Sequence, residues 1–390
     1  MISGEVLTRA AYLETPSKNP CRIKGRRFIH PEQGRAGEVL RILDGKSADS
    51  IKYATLDFIP ESQRTVLGVS CIMKIEMRDA LERPHVLRAF TGLNPEEFEI
   101  LAKIFAEVWE QQTERNWQGQ PRRYAKGGGP KGELNSPELK LLFILLYVRL
   151  YPIQEVMGFL FGFNQCQANK WILRLLPALD QALRRLSALP VRQPAELEKL
   201  LACCQDHEVR LDGSERPIRR PKDPEKQRLC YSGRKKRHTV KNVLVTLGRT
   251  VKFLSPTAPG SQHDKTVAEP LEAVRVPGQR EVIADSGFQG LTLQNNPVLH
   301  PYKKPRGGEL PADHKLFNRL LAKLRVKVEH AIGGIKRLRI VSDIFRNIKA
   351  GLDDLVMEVA CGLHNFREAL RRPDTTNINL RLSLAELNQE

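Results

Sequence analysis

"LRVKVEHAIGGIKRLR", residues 324–339, reads as a helix, and as a strongly basic one. Glu329 stands alone among six basic residues, His330 included, with Arg325 four positions before it and Lys336 seven after. At about 100° per residue, Arg325, Glu329 and Lys336 fall within about 40° of one another, and Gly333 lies on the same stripe. Leu321, Leu324, Val328, Ile332 and Ile335 form the adjoining apolar face. The stripe therefore runs along the edge of a buried surface and offers a cation, a carboxylate, a gap and a second cation. An Arg–Glu pair at i,i+4 would by itself stabilise a helix by only about 0.3 kcal/mol. Two carboxylates elsewhere in the chain give Glu329 a stronger reason to be there.

The first is Asp212 in "EVRLDGSERPI" (208–218), expected at the end of a strand and followed by Gly213. The second is Asp285 in "REVIADSGFQG" (280–290), at the end of a buried strand and two residues before Gly287. In open α/β sheets ligands bind where strand ends meet solvent. Three carboxylates brought together there can hold two divalent ions, and cations beside them can grip phosphate.

The rest of the second half fits an α/β domain. "RKKRHTVKNVLVTLGRTVKFLSPTAPG" (234–260) reads as one or two Val- and Thr-rich strands, "LFNRLLAKLRVKVEHAIGGIKRLRIV" (316–341) as a long helix, and "LDDLVMEVACGLHNFREALRR" (352–372) as another. Charge is concentrated in the same half. The chain of 390 residues carries a formal +18, and residues 212–252 and 303–346 contribute +9 and +8 of it. Charge gathered in this way points to a polyanion, most often nucleic acid.

Upstream, "NPEEFEILAKIFAEVWEQQ" (94–112) has Asn94 as N-cap, Pro95 at the first helical position and acids in the first turn. "GGGP" (127–130) reads as a linker. In "SPELKLLFILLYVRLYPIQEVMGFLFGFNQCQANKWILRLLPAL" (136–179), Ser136 caps a helix that Pro152 ends. A short helix follows over 153–161, Gly162-Phe163 makes a turn, and Asn164 caps the next helix with Gln167 at the capping-box position. Helix, turn, helix is the outline of a DNA-reading module. Gln165, Gln167, Asn169, Lys170 and Arg174 lie beside Trp171 and Ile172, expected to be buried. Amide side chains can read adenine edges and Lys or Arg can hold phosphates or guanine. An ordinary three-helix bundle with a polar face fits this stretch equally well.

Hydrophobic residues make up 41% of the chain, enough for a folded core. The longest apolar run, "LKLLFILLYVRLY" (139–151), is broken by Arg149 and is too short to span a bilayer. No signal peptide is evident, and seven scattered cysteines without a CxxC pair favour neither disulfides nor a zinc site, so a cytoplasmic location is expected. Residues 1–80 contain strand-like pieces, "YATLDFIP" (53–60) and "RTVLGVSCIMKI" (64–75), without a clear period. Met73 and Met77 precede the first well-patterned helix, which makes an N-terminal extension one reading of that region.

Five elements in order resemble the bacterial insertion-sequence transposases of the DDE type, in the branch with a Harbinger-like catalytic domain. They are "LDGSERPI" (211–218), "YSGRKKRHTVKNVLV" (231–245), "APGSQHDKT" (258–266), "ADSGFQG" (284–290) and the helix carrying Arg325, Glu329 and Lys336. The resemblance runs from about residue 90 to 346. It implies an RNase H-like catalytic domain, a mixed five-stranded sheet with flanking helices over 201–372. A helical domain with the helix-turn-helix precedes it over 81–200, and a tail follows over 373–390. It implies Asp212, Asp285 and Glu329 as catalytic residues holding two Mg2+ (or Mn2+) ions. Arg325 and Lys336 would lie at DNA phosphates. Arg234, Lys235, Lys236, Arg237 and Lys241, on or beside a hairpin, would grip backbone. His263 and Asp264 either assist the site or cap a turn or helix.

The function implied is binding to the terminal inverted repeats of the element, strand cleavage and transfer of 3′-hydroxyls into target DNA. A homo-oligomer, at least a dimer, would hold the two ends, in a bacterial cytoplasm and associated with the nucleoid. Two other readings compete. One is a DNA-binding regulator that has lost catalysis. The other is a domesticated endonuclease that depends on a separate DNA-binding partner.

Overall fold

Prolines and small polar caps start the helices of the first half. In the computed structural model the described residues are 79–114, 132–204, 208–278, 280–294, 296–305 and 307–372. The expectations for residues 1–78, for "GGGP" and for the tail 373–390 lie outside them. α1 (Pro84–Thr91) and α2 (Pro95–Glu114) both begin on proline. Glu97 Oε2 accepts the Asn94 N–H at 2.8 Å and closes the start of α2. α3 (Pro137–Leu150) is capped by Ser136, whose hydroxyl accepts the Leu139 N–H at 3.2 Å. Every residue from Leu139 to Val148 is buried, so α3 is a central helix with no polar face. α4 (Gln154–Phe161) ends at Gly162, and α5 (Gln165–Arg185) opens with the expected reciprocal cap between Asn164 and Gln167. α6 (Pro194–Cys203) leads into the sheet.

The sheet is mixed. β1 (Val209–Pro217) runs antiparallel to β3 (Arg237–Leu247), in register from Val209↔Leu247 to Pro217↔Thr239. The far edge of β3 carries β4 (Thr250–Leu254) and β5 (Ala258–Pro259), both antiparallel. On its other side β1 pairs in parallel with β6 (Val282–Ile283), which pairs in parallel with β8 (Asn296–Leu299). The principal order is thus β4-β3-β1-β6-β8. Two short strands extend it: β2 (Tyr231–Ser232), which follows α7 (Pro224–Cys230) and forms a hairpin with β3, and β7 (Thr292–Leu293) on β8.

Each face of the sheet has its own core. Val209, Leu211, Val243, Val245 and Phe253 pack with Leu197 and Leu201 of α6, Ala268 of α8 (Asp264–Ala268) and Phe288. Leu244, Val251 and Leu254 face the other way. They join one hydrophobic cluster with α3, α5, α9 (Ala312–Lys336), α10 (Arg339–Ser342) and α11 (Leu352–Arg371). The helical first half and one face of the sheet therefore share a continuous core. Asn365, 6% exposed, locks this junction. Its amide donates to the carbonyls of Ala188 and Val251 at 2.9 and 2.8 Å and accepts the Val251 N–H at 2.8 Å. A buried amide with these partners satisfied fixes α11 against β4 in one register. No helix among the described residues is long and apolar enough to cross a membrane.

Candidate active site

Side chains alternate along β1. Leu211 enters the core on one face, and the flanking Arg210 and Asp212 point to the face that α9 covers. Arg210, fully buried, donates from Nε to the Leu324 carbonyl at 2.9 Å and ties α9 to the strand just before Arg325. It also pairs with Glu208.

Asp212 was expected at a strand end, yet β1 continues to Pro217 and Asp212 is opposite Leu244 of β3. What ends near it is the parallel pairing with β6, at Arg210↔Ile283. Asp212 and Asp285 each lie two residues beyond that last pair, where the two strands part. The ligand-binding position in the sheet is therefore kept although the strand itself goes on. Asp285 caps the short 3-10 turn Ser286–Phe288, its Oδ1 accepting the Ser286 N–H at 2.7 Å. Asp212 Oδ1 accepts the Gly213 N–H at 2.7 Å.

Burial pushes the Asp212 carboxyl up to about 6. The Gly213 amide and the Arg325 guanidinium work against that, while the charges of Asp285 and Asp264 push it further up. Arg325 reaches Asp285, Nη1 to Oδ1 at 3.3 Å. Burial lowers the pKa of Lys336, and the neighbouring charge of Asp212 opposes the shift. Both cations of the α9 stripe thus face the aspartate pair.

Asp264 is the residue that the sequence left open. It is at the start of α8 and takes an ion pair from Lys241, Nζ to Oδ1 at 3.0 Å. Its carboxyl lies against two glycines. A Cβ at Gly213 would come within 3.2 Å of Asp264 Cγ, and one at Gly287 within 3.0 Å of its Oδ2. The glycines beside Asp212 and Asp285 make room for a third aspartate. His263 is exposed at the N-cap position of α8, where its side chain makes no capping hydrogen bond.

Glu329 stands apart. It is exposed and makes no hydrogen bond or ion pair among the described residues. It lines a cleft with Arg88, Arg249, Gly333, Arg337 and Arg367. Among the described residues no three His, Cys, Asp or Glu side chains stand close enough together to hold a metal ion. The donors at the aspartate pair do suit a hard divalent cation. They are all oxygen, and the charge of Asp212 is opposed by burial and by two like charges that such a cation would relieve.

The other expected contacts divide. Arg234, Lys235 and Lys236 are exposed on the β2–β3 turn and Arg237 is exposed at the start of β3, on or beside a hairpin as expected. Lys241 is 8% exposed and is held by Asp264 and by the Gln262 carbonyl at 2.6 Å, so it is not a surface cation. At the start of α5, Gln165 and Lys170 are exposed. Gln167 is occupied in the cap, and Asn169 accepts a hydrogen bond from Gln154 at 3.1 Å. Arg174 stacks over Trp109 and Trp171, at 5.3 and 5.1 Å from the ring centres. Trp171 is half-buried rather than buried, packed at the edge of the hydrophobic core.

Residues 211–365 match the family described as DDE superfamily endonuclease. A curated relative, the "Probable transposase for insertion sequence element IS702" of Microchaete diplosiphon, is 28% identical over 235 residues, 60% of this chain and 82% of the relative. No solved structure matches. The matched segment begins one residue before Asp212 and spans Asp285, Arg325, Glu329 and Lys336, so over this segment the chain is similar to DDE superfamily endonucleases and, at 28% identity, to an insertion-sequence transposase.

Proposed function

We propose that this protein binds the terminal inverted repeats of its own element, pairs two ends as a homo-oligomer, cuts the strands and joins their 3′-hydroxyls to target DNA. The observation that carries the reading is the side-by-side position of Asp212 and Asp285 where β1 and β6 part, beneath the two cations of α9. The order β4-β3-β1-β6-β8, antiparallel then parallel, supports an RNase H-like catalytic domain.

Asp212 and Asp285, with Glu329 from the family pattern, would hold two Mg2+ (or Mn2+) ions. The ions supply a lowered pKa for the attacking water or hydroxyl and charge stabilisation for the leaving oxygen. The chain's own groups do the rest. Arg325 holds the Asp285 carboxylate and keeps Asp212 nearer its ionised form. Lys336 adds a second cation beside Asp212. The exposed turn Arg234–Arg237 grips backbone, and Gln165 and Lys170 at the start of α5 are free to reach a groove in the helix-turn-helix reading. The catalytic domain would then cover 201–372 and the DNA-reading helices 81–200, in a protein working at the bacterial nucleoid.

One observation favours a second reading of the third carboxylate. Asp264 acts electrostatically on Asp212 and packs on Gly213 and Gly287, whereas Glu329 is exposed and makes no hydrogen bond or ion pair among the described residues. In that reading Asp264 completes the site and Glu329 contacts DNA. The test of the proposal is excision and strand transfer, in Mg2+, of a plasmid carrying the DNA that flanks the gene. Wild type is expected to release and join the ends, and Asp212→Asn to bind them without cutting. Failure of wild type to cut bound ends would leave a binding protein without catalysis.

A further inference from the structure

The cleft on the far side of Glu329 from the aspartates has no part in the chemistry above. Its volume is about 680 Å3, and it opens between α1, the β3–β4 turn, α9 and α11. Six arginines line it, and four of them come from four different elements: Arg88, Arg249, Arg337 and Arg367. None of the four side chains makes an ion pair with a carboxylate among the described residues. The neighbouring Arg371 is different, because Glu97 takes its guanidinium at 2.7 Å. Glu368 at the rim takes Arg372 at 3.7 Å.

Arg367 is the most telling. It is 9% exposed, and its Nε has no hydrogen-bond partner. Burial, and after it the nearby Arg371 and Arg337, lower its pKa to about 10. A buried guanidinium crowded by other cations costs stability unless an anion satisfies it. Among the described residues no ion pair does so, and Glu97 acts on Arg367 only through its nearby charge. The fold keeps an unpaired positive cluster open to solvent, which is the arrangement expected when the counter-charge comes from a ligand.

The position of the cleft on α9 says what it adjoins. Taking Arg325 as zero, Lys336 is at about 20°, Glu329 at about 40°, Gly333 at about 80° and Arg337 at about 120°. Glu329 therefore marks the boundary between the stripe that faces Asp212 and Asp285 and the wall of the arginine cleft. Gly333 lies between them, with no atom within 4 Å of an added Cβ.

We infer that this cleft is a phosphodiester-binding site, in which Arg88, Arg249, Arg337 and Arg367 hold the backbone of the DNA strand that passes over Glu329. The inference rests on the reading that the chain acts on DNA, but not on any carboxylate or metal. Several separate guanidinium groups line the cleft, and guanidinium forks match consecutive phosphates. None of these arginines belongs to the basic stretches that mark the hairpin or the start of α5.

The test is fluorescence anisotropy of the full chain with a fluorescein-labelled duplex of the gene's flanking DNA, in EDTA, over a series of NaCl concentrations. Arg88→Gln with Arg249→Gln is the variant, since Arg88 is exposed and Arg249 half-buried, and a thermal melt checks that it folds. Lys103→Gln with Lys199→Gln removes the same charge from exposed sites elsewhere. The slope of log K against log[salt] should fall by about 0.9 per lost phosphate contact, roughly 1.8 for the arginine pair, and stay unchanged for the lysine pair. Equal losses in both pairs, or none in the arginine pair, would overturn the assignment. So would inorganic pyrophosphate stabilising wild type but not the arginine variant while both bind the duplex alike, since the cleft would then take a free anion. If the slope falls as expected and wild type still cuts nothing in Mg2+, the cleft stands and the transposition chemistry falls.

Discussion

Arg325 of α9 reaches across to Asp285 at the end of β6, guanidinium to carboxylate at 3.3 Å, and its charge also lowers the pKa of Asp212. One cation thus couples the helix of the signature to both strand-borne aspartates. Arg325→Gln should leave Asp212 harder to ionise. The acid limb of the Mg2+-dependent cutting rate should then move to higher pH, by on the order of one unit. An unmoved limb with a lower plateau would instead assign Arg325 to substrate alone.

The buried Asp212 makes a prediction about stability. Its pKa, about 6, is above the ordinary carboxylate value. The native state therefore holds the proton more tightly than the unfolded chain, and stability falls as pH rises from about 4 through 6. Asp212→Asn should stabilise the metal-free protein at pH 7–8 by about 1–3 kcal/mol, and the gain should vanish below about pH 4. Urea unfolding in EDTA at both pH values measures it. A constant difference across pH would contradict the assigned burial.

The packing of Asp264 on two glycines predicts a coupled pair. Gly287→Ala places a Cβ 3.0 Å from Asp264 Oδ2 and should cost about 1–3 kcal/mol. In an Asp264→Ala background the same change should cost little, a coupling that a double-mutant cycle reads directly. Additive costs would mean that the carboxyl is not held where the fold places it.

Arg174 and Lys170 lie one turn apart on α5 and should behave oppositely. Arg174→Gln loses the stacking over Trp109 and Trp171 and should cost about 0.5–2 kcal/mol without changing the salt dependence of duplex binding. Lys170→Gln should leave stability alone and lower the salt slope by about 0.9. The reverse pattern would restore Arg174 to the DNA surface.

Local signals carried much of this fold. Ser136-Pro137, Asn164 with Gln167, and Pro95 mark helix starts because capping is decided within four residues. The basic turn of the β2–β3 hairpin and the stripe on α9 were legible for the same reason. Asp212 reads as a strand end, but the strand continues and it is the parallel pairing with β6 that stops two residues before it. Lys241 reads as one more cation of a basic run, but the strand turns it inward onto Asp264, 23 residues on. The role of Arg174 depends on Trp109 of a different helix. The arginine cleft was not legible at all, because its members come from four elements and no two are neighbours in the chain.

Substituting Glu329 by Gln keeps the side chain's size and removes its charge, which makes it the most direct test of the central claim that a metal-dependent carboxylate site on this helix cuts DNA. The measurement is cutting of the bound flanking ends in Mg2+, with duplex affinity taken on the same preparations. The account predicts that Glu329→Gln binds the ends as wild type does and does not cut them. Equal cutting by both proteins would contradict it and would pass the third carboxylate to Asp264.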